Sequence, residues 1–136
     1  MHTLVTTTSS DSHTWNLIYL EHLLKEWGHE VTNLGACVPD RLVVDECSRL
    51  RPDLLVVSSV NGHGANDGLR LIRAFRAVPE LAALPAVIGG KLGTAGSASA
   101  WAPRLREAGF DAVFEDSEGI LPFRGFVDRL AARVQV

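Results

Sequence analysis

Asp53-Leu-Leu-Val-Val-Ser-Ser59 is the stretch that decides the fold. Its apolar run, Leu54 to Val57, shows no alternation of apolar and polar residues. A strand that is covered by helices on both faces of a parallel sheet has this pattern, whereas a strand with one wet face alternates. The run therefore predicts a central strand in a sheet that lies between two layers of helices.

Strand and helix signals alternate on both sides of this central strand. The other predicted strands cover residues 3–8, 30–34, 86–88 and 111–114. The predicted helices cover residues 17–27, 39–50, 66–77, 98–108 and 120–134. Such strict alternation predicts one α/β domain over residues 1–136 with right-handed crossovers. We expect a flavodoxin-like (Rossmann-like), doubly wound, five-stranded parallel sheet of strand order 2-1-3-4-5.

The composition argues against several classes of protein. Of the 136 residues 46% are hydrophobic, which suffices for one sizeable core. The net charge of −3, with both signs mixed along the chain, disfavours nucleic acid and membrane surfaces as partners. The start carries no charged signal region and no apolar run is long enough to span a bilayer. Cys37 and Cys47 suit neither a disulfide framework nor a zinc pair, so we expect buried or half-buried thiols in a cytoplasmic protein.

Three small, polar loops follow the first, third and fourth predicted strands. They are Ser9–His13, Ser58–Gly64 and the glycine-rich stretch that begins at Gly89. Ligands of such sheets bind beyond the carboxyl ends of the strands, near the switch point between strands one and three. Each loop by itself fits a tight turn. Three adjacent loops of this kind predict a groove in which the backbone can approach a large ligand closely.

Asp11 and His13 are the candidate metal-binding pair in the first loop. A carboxylate near an imidazole can accept the proton of one ring nitrogen, so that the other nitrogen presents its lone pair to a metal. The alternative is a loop histidine that is hydrogen-bonded to an aspartate capping the next helix. The two residues alone leave both interpretations open.

The combination of these motifs resembles the signature of cobalamin-binding domains. Asp11-Ser-His13, Ser58-Ser-Val60 and Gly89-Gly90 are similar to its Asp-x-His-x-x-Gly, Ser-x-Leu and Gly-Gly elements. The stretches 56–64 and 101–113 look like the small subunit of glutamate (methylaspartate) mutase, and the similarity extends over nearly the whole chain. The motif's final glycine is replaced by Asn16, and its leucine by Val60.

The resemblance implies that the dimethylbenzimidazole tail of the cofactor leaves cobalt and enters a slot beside the sheet. His13 would be the lower cobalt ligand, with Asp11 hydrogen-bonded behind it. Ser58 would hydrogen-bond the tail base, and Ser59 and Val60 would form part of the slot wall. The other implied cofactor contacts are Ser10, Ser12, Thr14, Gly89, Gly90, Lys91, Leu92, Gly93, Thr94 and Ala95.

Asn16 has two possible roles in this scheme. It would either narrow the tail slot or cap the following helix, since asparagine is a favoured helix N-cap.

The implied activity is a radical rearrangement of a carbon skeleton with adenosylcobalamin, and L-glutamate and 3-methylaspartate are the default substrate pair. The cofactor supplies the reactivity, beginning with homolysis of its cobalt–carbon bond. The resemblance also implies a larger, barrel-shaped catalytic subunit that binds the substrate, in a heterotetramer of two small and two large chains. This chain would be inactive alone, and Trp15 is a candidate for the subunit interface.

Several other functions stay open. A corrinoid protein that carries methyl groups between methyltransferases uses the same loop, and a cobalamin sensor uses the same domain, but both usually have a further domain that we do not expect here. A flavodoxin would need glycine in the loop that holds the phosphate of flavin mononucleotide, and Thr6–Ser12 has none. A phosphorylated receiver domain is less favoured, because strand three ends in Ser58-Ser59 without an aspartate.

Overall fold

The structure is a computed structural model that describes residues 1–60, 63–90, 101–115 and 118–134. Within these residues one parallel sheet contains β1 (His2–Thr7), β2 (Glu30–Asn33), β3 (Leu54–Ser59), β4 (Ala86–Gly90) and β5 (Ala112–Glu115). The helices are α1 (Trp15–Glu26), α2 (Asp40–Leu50), α3 (Gly64–Arg76), α4 (Ala102–Ala108) and α5 (Leu121–Val134), with a 3-10 turn at Pro79–Leu81. The order β2-β1-β3-β4-β5 confirms the predicted doubly wound sheet.

β3 is the central strand, as its unbroken apolar run predicts. It pairs with β1 on one side and with β4 on the other, and all six of its residues are buried. Leu55 and Val57 pack with α2, α3 and α4, whereas Leu54 and Val56 pack with α1 and α5. The two helical layers thus cover opposite faces of the sheet, as a strand without alternation requires.

Each helical layer packs against one face of the sheet and forms a hydrophobic cluster with it. Phe75, Leu71 and Ile72 of α3 form the centre of one cluster, and Leu17 and Leu24 of α1 belong to the other. Each of these side chains is almost completely buried, and such burial contributes roughly 1.5–3 kcal/mol per side chain. None of the described helices is both long and apolar enough to cross a membrane.

Two expectations about local structure were wrong. Gly89 and Gly90 do not begin a loop, because they are the last residues of β4 and pair with Ser58 and Ser59 of β3. Cys37 is exposed, since it lies in the loop after β2 at a positive φ of 52°, whereas Cys47 is buried and its pKa is raised by burial to about 12.

Smaller differences concern the ends of helices. α3 begins at Gly64, two residues before its predicted start, and α4 is described from Ala102. The predicted start of α4 at residue 98 lies outside the described residues.

We expect Gly90→Ala to destabilise the protein by about 2–5 kcal/mol, because it combines two costs. Gly90 has a φ of +112°, and an added Cβ would collide with the carbonyl oxygen of Ser59. Gly35→Ala is the matched control, since its φ is +92° but a Cβ there meets nothing within 4 Å. The free energy of unfolding in urea measures both, and an equal loss in the two variants would contradict the collision.

Candidate functional site

The first loop, residues 8–14, lies at the carboxyl edge of the sheet between the ends of β1 and β3. Parallel pairing of Thr7 with Ser58 and of Ser58 with Gly89 brings the ends of β1, β3 and β4 to the same edge. This edge contains the switch point of the sheet, because the chain places β2 on one side of β1 and β3 on the other.

Asp11 is completely buried in this loop, and its carboxylate accepts several hydrogen bonds. The backbone N–H of His13 donates to Oδ1 over 2.9 Å, and the backbone N–H of Val60 donates to Oδ2 over 2.7 Å. The side chains of His13 and Ser59 also hydrogen-bond the carboxylate. The loop after β1 and the loop after β3 are therefore tied together through one side chain.

These hydrogen bonds determine the charge of Asp11. Burial by itself favours the neutral acid, but the hydrogen bonds from His13, Val60 and Ser59 outweigh it and lower the pKa of Asp11 below its ordinary value of 3.8. The carboxylate is consequently ionised at neutral pH.

The ring of His13 is oriented by this carboxylate. Its Nδ1 lies 2.7 Å from Oδ1 of Asp11, and 56% of the side chain is exposed. An ionised carboxylate can only accept a hydrogen bond, so Nδ1 carries a proton, and in the neutral ring Nε2 then carries the lone pair. Within the described residues Nε2 has no hydrogen-bond partner. An imidazole in this state can bind a metal ion through Nε2.

A cavity of about 300 Å³ lies beside the sheet, between it and helices α1 and α5. This volume is at the lower end of the range that small-molecule sites occupy. Its wall is largely apolar, with polar groups at a few positions. The described lining residues are Asn16, Tyr19, Leu20, Val56, Val57, Ser58, Val87, Ile88, Gly89, Gly90, Phe114, Glu115, Gly119, Ile120 and Phe123.

Ser58 is the buried polar residue of this wall. It is only 5% exposed, and its hydroxyl has no hydrogen-bond partner within the described part of the chain. Because Ser58 also lines the cavity, its hydroxyl is available to a polar group of a ligand that enters there.

The predicted site residues divide between the cavity and its surroundings. Ser58, Gly89, Gly90 and Asn16 line the cavity, whereas Ser59 and Val60 do not. The expectation that Ser59 and Val60 form part of the slot wall therefore stays a prediction. Consecutive residues of a strand point to opposite faces, so Ser59 turns away from Ser58, and both Ser59 and the N–H of Val60 bind Asp11.

The remaining predicted contacts lie in the first loop or outside the described residues. Ser12 and Thr14 are exposed, and the hydroxyl of Ser10 donates to the carboxylate of Asp67 in α3. Lys91, Leu92, Gly93, Thr94 and Ala95 lie outside the described residues.

Asn16 does not cap α1. The N-cap is Thr14, and Asn16 is the second residue of the helix, where it lines the cavity. The predicted capping role is therefore wrong, and the role in the tail slot stays a prediction.

A charged network that the sequence did not predict anchors the first loop from the other side. Arg70 of α3 donates to Ser9 over 2.6 Å, to Asp40 over 2.6 Å and to Asp67 over 3.3 Å. Asp67 in turn accepts from Ser10. These contacts join residues up to 61 positions apart, so no local spacing could have indicated them.

Comparisons with known protein families agree with this geometry. Residues 1–122 match the family model described as the B12 binding domain. The glutamate mutase sigma subunit of Halobacterium salinarum is 30% identical over 131 residues, which cover 96% of this chain and 85% of that protein. The glutamate mutase sigma subunit of Fusobacterium nucleatum subsp. nucleatum is also 30% identical, with 78% of each chain covered.

Solved structures with the same fold include two corrinoid proteins. A novel cobalamin-binding protein from Desulfitobacterium hafniense DCB-2 has a TM-score of 0.75 at 19% identity, with 95% of this chain covered. The Methanosarcina barkeri monomethylamine corrinoid protein has a TM-score of 0.70 at 18% identity, with 86% covered. This chain spans 58% and 53% of their respective lengths, and at this identity the likeness shows the fold alone.

We expect Asp11→Asn to lower the free energy of unfolding by about 1–3 kcal/mol at pH 7, because an amide cannot accept at both positions. The pKa of Asp11 is lowered in the folded state, so its stabilising effect is present above pH 3.8 and is lost as the pH falls through the folded-state value. The wild type and the variant should therefore converge in stability as the pH is lowered below that value.

Urea unfolding at a series of pH values measures this convergence. Asp45→Asn is the control, because Asp45 forms an exposed pair with Arg41 and should contribute little at any pH. A stability difference between the wild type and Asp11→Asn that does not change with pH would mean that the ionised carboxylate does not organise the loops.

Proposed function

The chain belongs to the family of B12 binding domains, and from that premise we propose that it is the cobalamin-binding subunit of an adenosylcobalamin-dependent carbon-skeleton mutase. The proposed reaction interconverts L-glutamate and 3-methylaspartate, with a separate large subunit that binds the substrate. The proposal depends mainly on the half-exposed imidazole of His13. Asp11 holds this ring with Nδ1 protonated, and Nε2 has no hydrogen-bond partner within the described residues.

The residues present fit a corrinoid. A corrin ring would itself hold the cobalt, so the protein would need to provide one imidazole, that of His13, rather than a cluster of ligands. Within the described residues no three His, Cys, Asp or Glu side chains come together to hold a bare ion. A single oriented histidine beside an apolar cavity is the donor set that a macrocyclic cofactor requires.

The cavity is suited to the base of the cofactor tail. Phe114 and Phe123 meet edge to face, with ring centroids 5.6 Å apart, and form an aromatic wall. The Ser58 hydroxyl would donate to the ring nitrogen that cobalt no longer binds, which satisfies both groups. Gly89 lines the cavity and leaves no room for a side chain against β5, since a Cβ there would lie 3.1 Å from the carbonyl oxygen of Phe114.

When bound, the cofactor supplies radical chemistry through its cobalt–carbon bond. The chain's own contribution is to hold and orient the cofactor. Asp11 keeps the proton on Nδ1 of His13, which fixes the direction of the ring and makes Nε2 a better donor. Asp11 also accepts a hydrogen bond from the backbone N–H of Val60. The imidazole of His13 is therefore positioned relative to the end of β3, and through β3 relative to the cavity.

A partner subunit is supported by two observations. The curated relatives are named as sigma subunits of glutamate mutase, which implies another subunit in those proteins. In this chain Trp15 is 79% exposed, and Ile18 and Tyr19 are also exposed on the same face of α1. This apolar face begins two residues after His13, so a large subunit that covers it also covers the cofactor. We propose a heterotetramer with two chains of each kind, located in the cytoplasm.

We expect His13→Ala to weaken cobalamin binding by at least about tenfold and to change the absorption spectrum of the bound cofactor, since cobalt loses its protein ligand. His22→Ala on the exposed face of α1 is the control. Absorption titration of the purified chain with cobalamin measures both effects. An unchanged spectrum in His13→Ala would exclude His13 as the cobalt ligand.

We expect the chain to convert glutamate only when it is combined with the large mutase subunit and adenosylcobalamin. At limiting concentrations Trp15→Ala should weaken this assembly by roughly 30-fold, because a buried interface tryptophan typically contributes about 2 kcal/mol or more. Val134→Ala is the control, since Val134 is exposed at the far end of α5. The rate of 3-methylaspartate formation against subunit concentration is the measurement.

The possible failures of this reconstitution have separate meanings. Turnover that is equally sensitive to Trp15→Ala and Val134→Ala would contradict the proposed interface. Binding of cobalamin without any turnover of glutamate would contradict the proposed substrate.

A further inference from the structure

The guanidinium of Arg70 is held by carboxylates from two helices. Its Nε donates to Asp40 of α2 over 2.6 Å, and its Nη1 donates to Asp67 of α3 over 3.3 Å. The side chains of Asp40 and Asp67 are only 19% and 12% exposed, although Arg70 itself is half exposed. A planar guanidinium that is bound on two edges in this way has little freedom to rotate.

The remaining terminal nitrogen of Arg70 contacts the loop that carries His13. Its Nη2 donates to the hydroxyl of Ser9 over 2.6 Å. The second oxygen of Asp67 accepts from the hydroxyl of Ser10, which gives the same loop a further contact with α3. These two serines directly precede Asp11, the residue that orients the ring of His13.

Ordering the first loop costs conformational entropy, because residues 8–14 belong to no helix or strand. A molecule in which this loop is displaced cannot present Nε2 of His13 to cobalt. The apparent dissociation constant of a ligand rises as the fraction of molecules in the binding-competent state falls. A side chain that holds the loop in place beforehand therefore strengthens binding without touching the ligand.

We propose that Arg70 is a positioning residue for the cobalt ligand, which holds the loop of His13 in its binding orientation before the cofactor arrives. The inference rests on the proposed function, because it takes His13 to be that ligand. α3 is a firm anchor, since Leu69 and Leu71 on either side of Arg70 are buried in the core. Arg70 acts through Ser9 and not through contact with the corrinoid.

The test compares the affinity of the full chain for cobalamin, by absorption titration, among variants of this contact. Ser9→Ala removes the acceptor in the loop and leaves Arg70 with both of its carboxylates. Arg70→Ala removes the donor, and the double variant removes both. Arg73→Ala is the matched control: Arg73 is exposed on the same helix and makes no side-chain hydrogen bond within the described residues.

We expect Ser9→Ala and Arg70→Ala each to raise the dissociation constant of cobalamin by about tenfold, since the loop loses a charge-assisted hydrogen bond. The double variant should bind within about twofold of Arg70→Ala, because Ser9 has already lost its partner there. The absorption spectrum at saturation should stay as in the wild type, since His13 still binds cobalt. Arg73→Ala should bind like the wild type.

Amide hydrogen exchange of the free chain measures the loop itself. The backbone N–H of His13 donates to Asp11 in the ordered loop. Its exchange should become about tenfold faster in Ser9→Ala, because the loop opens more often. The exchange of the N–H of Val56, in the buried middle of β3, should stay unchanged.

Several results would overturn the inference. They are an unchanged affinity or an unchanged exchange rate of His13 in Ser9→Ala, losses that multiply in the double variant, and a changed spectrum at saturation. Arg70→Lys replaces Arg70→Ala if the latter does not fold, because lysine keeps the charge between the two carboxylates but cannot bind three acceptors in one fork.

The outcomes separate this inference from the proposed function. If the wild type does not bind cobalamin, the proposed function fails and the inference fails with it. If the wild type binds cobalamin and Ser9→Ala binds it equally well, the role of Arg70 alone is lost.

Discussion

The buried carboxylate of Asp11 is the interaction on which the site depends. Its oxygens accept from His13 and from the backbone of Val60, and its main-chain carbonyl accepts from the N–H of Cys37 over 2.8 Å. One residue therefore joins the loops that follow β1, β2 and β3. Burial of an ionised carboxylate away from water is unfavourable unless several hydrogen-bond donors replace the water. The three loops must therefore be folded against one another at the same time. The orientation of His13 follows from the same condition.

The register of the sheet connects this carboxylate to the cavity. Ser58 and Ser59 are adjacent in β3, but they point to opposite faces, one towards the cavity and the other towards Asp11. A shift of one residue in the pairing of β3 would exchange their positions. Pairing of Ser59 with Gly90, where no side chain fits, helps to prevent such a shift. The proposed cobalt ligand His13 and the proposed tail slot are thus both positioned by β3.

The sequence predicts the features that depend on local pattern. The unbroken apolar run of β3 and the alternation of strands and helices are sufficient for the sheet order, because few topologies are compatible with right-handed crossovers. Asp11 and His13 are two residues apart, so their contact is also local. Strand geometry predicts that Ser58 and Ser59 point in opposite directions. The resemblance to the family motif instead implies that both lie at the tail slot. Contacts such as Ser10 with Asp67, which are 57 residues apart, depend on how α3 packs against the loop and leave no local signal.

We propose that an imidazole nitrogen of this chain, and not the base of the cofactor tail, binds cobalt. Electron paramagnetic resonance of the chain loaded with cobalamin in the Co(II) state tests it directly when the protein histidines carry ¹⁵N and the cofactor carries natural nitrogen. We expect the superhyperfine lines to become doublets, because the ligand nitrogen belongs to the protein. Lines that remain triplets after labelling would show that the tail base is still bound to cobalt and that His13 is not its ligand.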